Sequence, residues 1–200
     1  MFLSTKPKVS VIIPTYNRAS LLQEAIDSVL NQTYTNWEVI IVDDASEDNT
    51  EKVVKAISDS RVHYIRHSQN KGGADARNTG IDNSQGDYVA FLDSDDIWEP
   101  TKLETQLDQI FRANDPSKVV CYTKIKAINQ NSKSVFFPLR EKKENESVAE
   151  YLFFGKVGEG VMFTSSLMMA KSLISKTKFR PNLKKHHDLD LVIRRKRSSI

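Results

Sequence analysis

The chain of 200 residues reads as an α/β fold: a doubly wound, Rossmann-like, mostly parallel sheet flanked by helices. Three observations predict it. Short β-branched runs alternate with segments of helical period through the first half of the chain. Each run stops in a polar cluster too long for a tight hairpin. Those clusters, "PTYN", "DDAS", "NKGG" and "DSDD", carry the least ordinary residues in the sequence. Alternating strand and helix is the pattern of parallel strands joined by crossover helices. Ligands bind such sheets in a crevice outside the carboxyl ends of the strands, the edge where all these clusters would lie.

The elements follow in order. "VSVII", residues 9–13, is a β-branched run ended by Pro14 and suits a buried parallel strand. Beyond "PTYNRAS", residues 21–30 place Leu21, Leu22, Ala25, Ile26, Val29 and Leu30 on one helical face, and Ser20 with Gln23 offers a capping box. "EVIIV", residues 38–42, repeats the strand signature and stops at Asp43 and Asp44. Residues 50–58 have a helical stripe of Val53, Val54 and Ile57. "VHYIR" is a third strand, and "NKGGADARNTGI" opens a helix behind a glycine pair. "DYVAFL" is a fourth strand, and Thr101 with Glu104 predicts a second capping box for a helix running to about Asn114. The second half is less regular: "KVVCYT" as a strand, "NQNSKS" as a turn, "SVAEYLFF" as a short helix, and "GEGVMFTSSLMMA" as a strand returning beneath the site.

Composition bounds the class. A hydrophobic fraction of 39% with 7 glycines and 6 prolines is that of a globular chain. The single cysteine, Cys121, excludes an internal disulfide framework and suits a reducing compartment. The opening "MFLSTKPK" lacks the apolar core of a signal peptide, and no apolar run reaches the length of a bilayer span. A cytoplasmic protein is the expectation. The net charge of +3 conceals an asymmetry. Residues 176–200 carry 9 Lys or Arg against Asp188 and Asp190, which leaves the preceding body acidic. A basic tail of this kind attracts phosphate, including the headgroups of an anionic membrane, and equally serves as a solvated terminal helix. No nucleic-acid-binding module accompanies it.

Candidate chemistry lies in the clusters. Asp93 and Asp95, separated by Ser94 at the mouth of the fourth strand, offer hard oxygen ligands to Mg²⁺ or Mn²⁺, though Asp and Ser are also ordinary turn and cap residues. Asp43 and Asp44 can cap a turn or accept hydrogen bonds from a base or ribose; receiver-type phosphoacceptor domains carry a similar acidic pair. Lys71, Gly72 and Gly73 let backbone approach a ligand closely, with Arg77 one helical turn on. Neither a Walker-type nor a dinucleotide-binding glycine motif is present. In "KKHHDLDLVI", the spacing of His186, His187, Asp188 and Asp190 matches no zinc template, and two carboxylates in a first helical turn are favoured by the helix dipole in any case.

Three segments, "VSVIIPTYNRASLLQEAIDSVLNQTYTNWEVIIVDDASEDNT", "NKGGADARNTGI" and "GDYVAFLDSDDIWEP", cover about the first half of the chain. In that order and spacing they resemble the family 2 glycosyltransferases, an inverting family with the GT-A fold. The resemblance implies one GT-A domain over residues 1–200, with residues 1–115 as the nucleotide-sugar-binding half and 116–200 as an acceptor-side half that stops short of the family's usual length. It implies a nucleoside diphosphate sugar donor, UDP- or GDP-linked, and a saccharide or lipid-linked saccharide acceptor. Pro14, Thr15, Tyr16 and Asn17 would line the nucleoside pocket, Asp44 would contact the base, and Lys71 and Arg77 would stand near the nucleotide. Asp93 and Ser94 would face the donor, and Asp95 with Asp93 would hold Mn²⁺ or Mg²⁺. Asp188 falls at the family's catalytic carboxylate, although His187 precedes it where relatives commonly have Glu. The family's role in bacterial surface polysaccharide and lipopolysaccharide synthesis implies work at the inner membrane face. The alternative is a relative that binds nucleotide sugar without turnover, inactive or truncated. The Q-x-x-R-W motif of processive synthases is absent.

Overall fold

The computed structural model describes residues 6–128, 133–143, 145–153, 160–181, 183, 190–192 and 194. Its first half follows the expected alternation: β1 (Val9–Thr15), α1 (Ala19–Leu30), β2 (Trp37–Asp43), α2 (Thr50–Lys55), β3 (Val62–Arg66), α3 (Gly73–Asn83), β4 (Tyr88–Phe91) and α4 (Lys102–Phe111). After these come β5 (Val120–Cys121), the hairpin strands β6 (Ile125–Ile128) and β7 (Ser134–Phe137), α5 (Val148–Phe153), β8 (Met168–Ala170) and α6 (Lys171–Ile174). The strand from "KVVCYT", the helix from "SVAEYLFF" and the returning strand all form, each shorter than its sequence signal.

Six strands make one mixed sheet in the order β3-β2-β1-β4-β8-β5. β1 pairs in parallel with β2 on one side and β4 on the other, and β2 pairs in parallel with β3. β8 enters antiparallel between β4 and β5. The order reverses direction at β1, so the crevice beyond β1, β2 and β4 is the topological switch point.

Both sheet faces are covered, which explains the unbroken β-branched runs. Val9, Val11, Ile13, Val39, Ile41 and Ala90 share one core with Leu22, Ile26 and Val29 of α1 and Leu103, Leu107 and Ile110 of α4. Ile12, Val89, Phe91 and Met169 face the other way, onto Ala74 and Ile81 of α3 and onto Tyr151, Phe179 and Leu191. Each such aliphatic side chain contributes about 1.5–3 kcal/mol by leaving water, so these layers fix which strand ends share an edge.

At the amino edge, the buried Glu38 accepts hydrogen bonds from Lys8 Nζ, Ser10 Oγ and the Gln85 amide, each at 2.6 Å. Burial pushes this carboxyl up, but the bonds from Lys8, Ser10 and Gln85 together hold it below its ordinary value. One side chain thus ties β1, β2 and the approach to β4 at the edge away from the crevice.

Neither expected capping box forms. Ser20 lies inside α1, whose Ala19 amide is instead capped by Asp48 Oδ2 at 3.0 Å from the loop after β2. Thr101 is the N-cap of α4 without a side-chain bond, and Glu104 accepts from the Thr33 hydroxyl at 2.8 Å. In both places a tertiary partner replaced the local one that the motif offers. No helix among the described residues is long and apolar enough to cross a membrane.

The approach of α3 to β1 depends on Gly80, where a Cβ would sit 2.4 Å from Ile12 Cγ2. Gly80→Ala is expected to lower the unfolding free energy by about 1–3 kcal/mol, the usual cost of overpacking, measured by urea denaturation.

Candidate functional site

The loops leaving β1, β2 and β4 meet the first turns of α3 around a crevice of about 290 Å³. Pro14, Thr15, Tyr16 and Arg18 form one wall, Asp44 the back, Gly73, Ala76 and Arg77 a second wall, and Asp93, Ser94 and Asp95 the mouth. The loop bends are sharp, with positive φ at Asn17 (52°), Ala45 (66°) and Gly72 (92°). Only at Gly72 does the residue type accept this without cost.

Asp44 is the densest node. Its Oδ1 accepts from the Lys71 amide at 2.9 Å and lies 2.7 Å from His67 Nδ1, and its Oδ2 accepts from the Gly72 amide at 2.6 Å. Charge-assisted bonds of this kind are roughly twice as strong as neutral ones, and here they hold the loop after β3 against the end of β2. Asp43 is fully buried and already engaged, accepting from the Tyr64 hydroxyl at 2.5 Å and the Ser46 amide at 2.8 Å. Burial and this bond to Asp43 push the Tyr64 phenol well above its ordinary value. The enclosure of Asp43 also leaves a phosphoacceptor role without an accessible carboxylate.

Both carboxylates at the mouth have a guanidinium partner. Arg77 Nη2 lies 2.5 Å from Asp93 Oδ1, and Arg18 Nη1 lies 2.6 Å from Asp95 Oδ2. The two pairs differ in burial: 12% and 33% side-chain exposure for Arg77 and Asp93, against 47% and 44% for Arg18 and Asp95. An exposed pair of the second kind is worth about 0–1 kcal/mol, so a multivalent ligand displaces Arg18 at little cost. The turn itself is braced from β8's side of the sheet: the Asp93 amide donates to Ser165 Oγ and Trp98 Nε1 to the Ser165 carbonyl, both at 2.9 Å. Asp96 stays outside the crevice lining. Desolvation of its carboxyl raises it above the ordinary range although the residue as a whole is exposed, a Ser165 hydrogen bond opposes the rise, and Asp93 and Asp95 add to it.

Among the described residues, three buried polar atoms have no partner: Thr15 Oγ1, Trp37 Nε1 and Arg77 Nε. Two of the three belong to crevice residues. A buried hydroxyl or guanidinium N–H without a partner costs about 1–3 kcal/mol.

The chain's similarities agree with this geometry. The model of the family described as Glycosyl transferase family 2 matches residues 10–172. The chain belongs to that family. The amylovoran biosynthesis glycosyltransferase AmsB of Erwinia amylovora is 35% identical over 192 residues, covering 92% of this chain and 62% of AmsB. The Escherichia coli UDP-Glc:alpha-D-GlcNAc-diphosphoundecaprenol beta-1,3-glucosyltransferase WfgD is 44% identical over 124 residues, 62% of this chain and 48% of WfgD. The crystal structure of S. aureus TarS 1-349 in complex with UDP-GlcNAc superimposes with a TM-score of 0.74 at 23% identity, covering 92% of this chain and 53% of that one. That likeness establishes the fold as GT-A. The family 2 chain described here therefore spans about half to three fifths of the length of these three proteins.

Of the residues expected at the site, Pro14, Thr15, Tyr16, Asp44, Arg77, Asp93, Ser94 and Asp95 come together in the crevice. Asn17 and Lys71 are not among its lining residues. Asn17 Oδ1 accepts from the Glu47 amide at 2.8 Å and its own amide donates to Ser46 Oγ at 2.9 Å, stapling the β1 loop to the β2 loop; Lys71 contributes its backbone amide. Asp188 lies outside the described residues. Asp190, two positions on, is engaged: Arg194 Nη2 lies 2.6 Å from Oδ2 and Arg180 Nη1 3.4 Å from Oδ1. Sequence reasoning missed Arg18, Ala76, His67 and Ser165. Arg18 was within reach, since it directly follows "PTYN"; the other three become visible only when the sheet brings distant loops together.

The donor set suits a hard divalent ion. Two carboxylates on alternate residues, both accessible, provide oxygen ligands without a closed cage, and no group of three or more His, Cys, Asp or Glu able to hold a metal occurs among the described residues. Such a site leaves most of the coordination sphere to water or phosphate, as Mg²⁺ and Mn²⁺ prefer.

Behind the acidic turn, Lys102 is buried with Nζ 2.6 Å from Gln106 Oε1 and 3.8 Å from the Trp98 ring centroid. Burial pulls its ammonium down from 10.5 to about 7, the only opposing influence being Cys121. A lysine depressed in the folded state costs stability in full below that value, and the cost fades as pH rises toward the unfolded-state value. The unfolding free energy of the native chain is therefore expected to rise between about pH 7 and 10. Lys102→Met should flatten that rise, as read from urea melts across the range.

Proposed function

We propose that the chain is the donor-binding and catalytic part of an inverting, metal-dependent transferase that moves a sugar from a nucleoside diphosphate to an acceptor hydroxyl. The observation that carries this reading is the crevice itself. Asp44 at its back, the unpartnered Thr15 hydroxyl on its wall and the arginine-paired Asp93 and Asp95 at its mouth suit the base, sugar and phosphate ends of one ligand. An ionised carboxylate accepts only, through about four lone-pair positions. The bonds from His67, Lys71 and Gly72 leave Asp44 room for one more donor, such as the ring N–H of uracil or guanine.

Asp95, with Asp93, would hold Mn²⁺ or Mg²⁺, which when bound supplies positive charge to the departing diphosphate. Arg77 neutralises Asp93. Arg18, released from its exposed pair with Asp95, is free to contact a phosphate oxygen. Asp188 would take the proton of the acceptor hydroxyl as that oxygen attacks the anomeric carbon from the side opposite the diphosphate. The engagement of Asp190 by two arginines favours Asp188 as the base of the pair.

Residues 116–200 would face the acceptor. A lipid-linked saccharide is the acceptor class we favour, because WfgD is named for a diphosphoundecaprenol-linked sugar. Work of that kind belongs at the inner membrane face, where the basic tail meets anionic headgroups. Surface polysaccharide assembly is the corresponding setting, as in the names of AmsB and of the teichuronic acid glycosyltransferase relative.

Two measurements test the reading. In a thermal-shift panel of UDP, GDP, CMP and TDP sugars, one nucleotide class should stabilise the chain, and chelation of Mn²⁺ or Mg²⁺ should remove most of the shift. Asp188→Asn should cut transfer by at least about a hundredfold, the weight of general-base catalysis, while leaving that shift intact. Near-normal transfer by Asp188→Asn would remove the base assignment; stabilisation without product from the native chain would favour the non-catalytic alternative.

A further inference from the structure

We propose that His67 is a positioning residue that aims the Asp44 carboxylate at the base of the donor, with the Thr79 hydroxyl anchoring the far side of its ring. The proposal rests on the nucleotide reading above and assigns a task to two residues outside the crevice lining.

His67 follows β3 directly, and its amide donates to the Asp43 carbonyl at 2.8 Å, so its ring cannot drift from the end of β2. The ring is buried. Nδ1 lies 2.7 Å from Asp44 Oδ1, and Nε2 lies 2.9 Å from Thr79 Oγ1 on α3. An ionised carboxylate only accepts, so Nδ1 must carry the hydrogen; in the neutral ring Nε2 then accepts from the Thr79 hydroxyl. With Nδ1–H and the Lys71 amide both on Oδ1, and the Gly72 amide on Oδ2, the remaining acceptor position is on Oδ2.

That arrangement discriminates. A carboxylate free to rotate offers its lone pairs in several directions, whereas this one presents a single fixed acceptor at the back of the crevice. Preorganised acceptors cost no reordering on binding. The chain of contacts Asp44–His67–Thr79 also reaches α3, the helix that carries Arg77, so the base end and the phosphate end of the crevice share one support. A purely structural histidine would serve both ends equally; a positioning residue for Asp44 serves the base end.

The test is calorimetric titration of UDP, GDP and inorganic pyrophosphate, all with Mn²⁺, into the unaltered chain and into His67→Leu, His67→Asn and Thr79→Val. The expected result for His67→Leu is about tenfold weaker binding of whichever nucleotide the native chain takes, the loss of one charge-assisted bond. Its pyrophosphate affinity should stay within about twofold of native on the same scale. His67→Asn, whose amide N–H stands near the position of Nδ1, should recover most of the loss. Thr79→Val, which removes the second anchor of the ring, should show a smaller loss for nucleotide alone. Equal losses for nucleotide and pyrophosphate, or unaltered nucleotide affinity in His67→Leu, overturn the inference while leaving the nucleotide reading in place. A native chain that binds pyrophosphate and neither nucleotide overturns both. If His67→Leu does not fold, Thr79→Val carries the same comparison: a loss confined to nucleotide supports the proposal and equal or absent losses overturn it.

Discussion

Parallel pairing of β1 with both β2 and β4 is the constraint on which the rest of this molecule depends. Parallel strands must run back through crossover helices, so every strand in the set delivers its carboxyl end to the same edge. The registers Ile13↔Ile41 and Ile12↔Phe91 bring three loops level with one another. The loops can then be polar, sharply bent and partly strained, because the apolar layers on both faces already fix the strands. At the opposite edge Glu38 locks the same three strands with bonds from Lys8, Ser10 and Gln85. One edge is built for stability and the other for ligand.

At the ligand edge, charge is balanced in two ways that differ in permanence. Asp44 is held by hydrogen-bond donors that cannot leave, two backbone amides and an imidazole ring. Asp93 and Asp95 are neutralised by guanidinium side chains, Arg77 largely buried and Arg18 exposed. The gradient runs from the back of the crevice to its mouth. It suits a ligand whose base needs a fixed acceptor and whose diphosphate arrives with its own counter-ion. The third acidic residue of the turn, Asp96, takes part in neither arrangement. Its Ser165 bond belongs with the brace that fastens the turn to the chain's second half.

Much of this was legible beforehand. The apolar runs and the polar clusters behind them located β1 to β4 within a residue or two, and β1 and β2, buried along their whole length, have few alternatives to Val and Ile. The crevice residues Pro14, Thr15, Tyr16, Asp44, Asp93, Ser94 and Asp95 were legible for the same reason: they end or closely follow those strands. Capping was misread. Ser20 and Thr101 have the right spacing for local caps, but Asp48 and Thr33 compete from other loops, and sequence spacing contains no information about such competitors. His67 was invisible in a different way. It sits at a strand end in an unremarkable "RHSQ", and only the convergence of β2, β3 and α3 places it between Asp44 and Thr79. Asn17, at positive φ, accepts a hydrogen bond from the Glu47 amide of the neighbouring loop, a contact that sequence spacing does not reveal.

The most direct measurement of the central claim, that the carboxyl edge of this sheet is the donor site, is anomalous diffraction from crystals grown with Mn²⁺ and a nucleoside diphosphate. The account predicts one manganese peak at Asp95 and Asp93, with the nucleoside lying between Thr15 and Asp44. A nucleotide ordered anywhere else on the molecule, or a manganese peak away from the acidic turn, would contradict it.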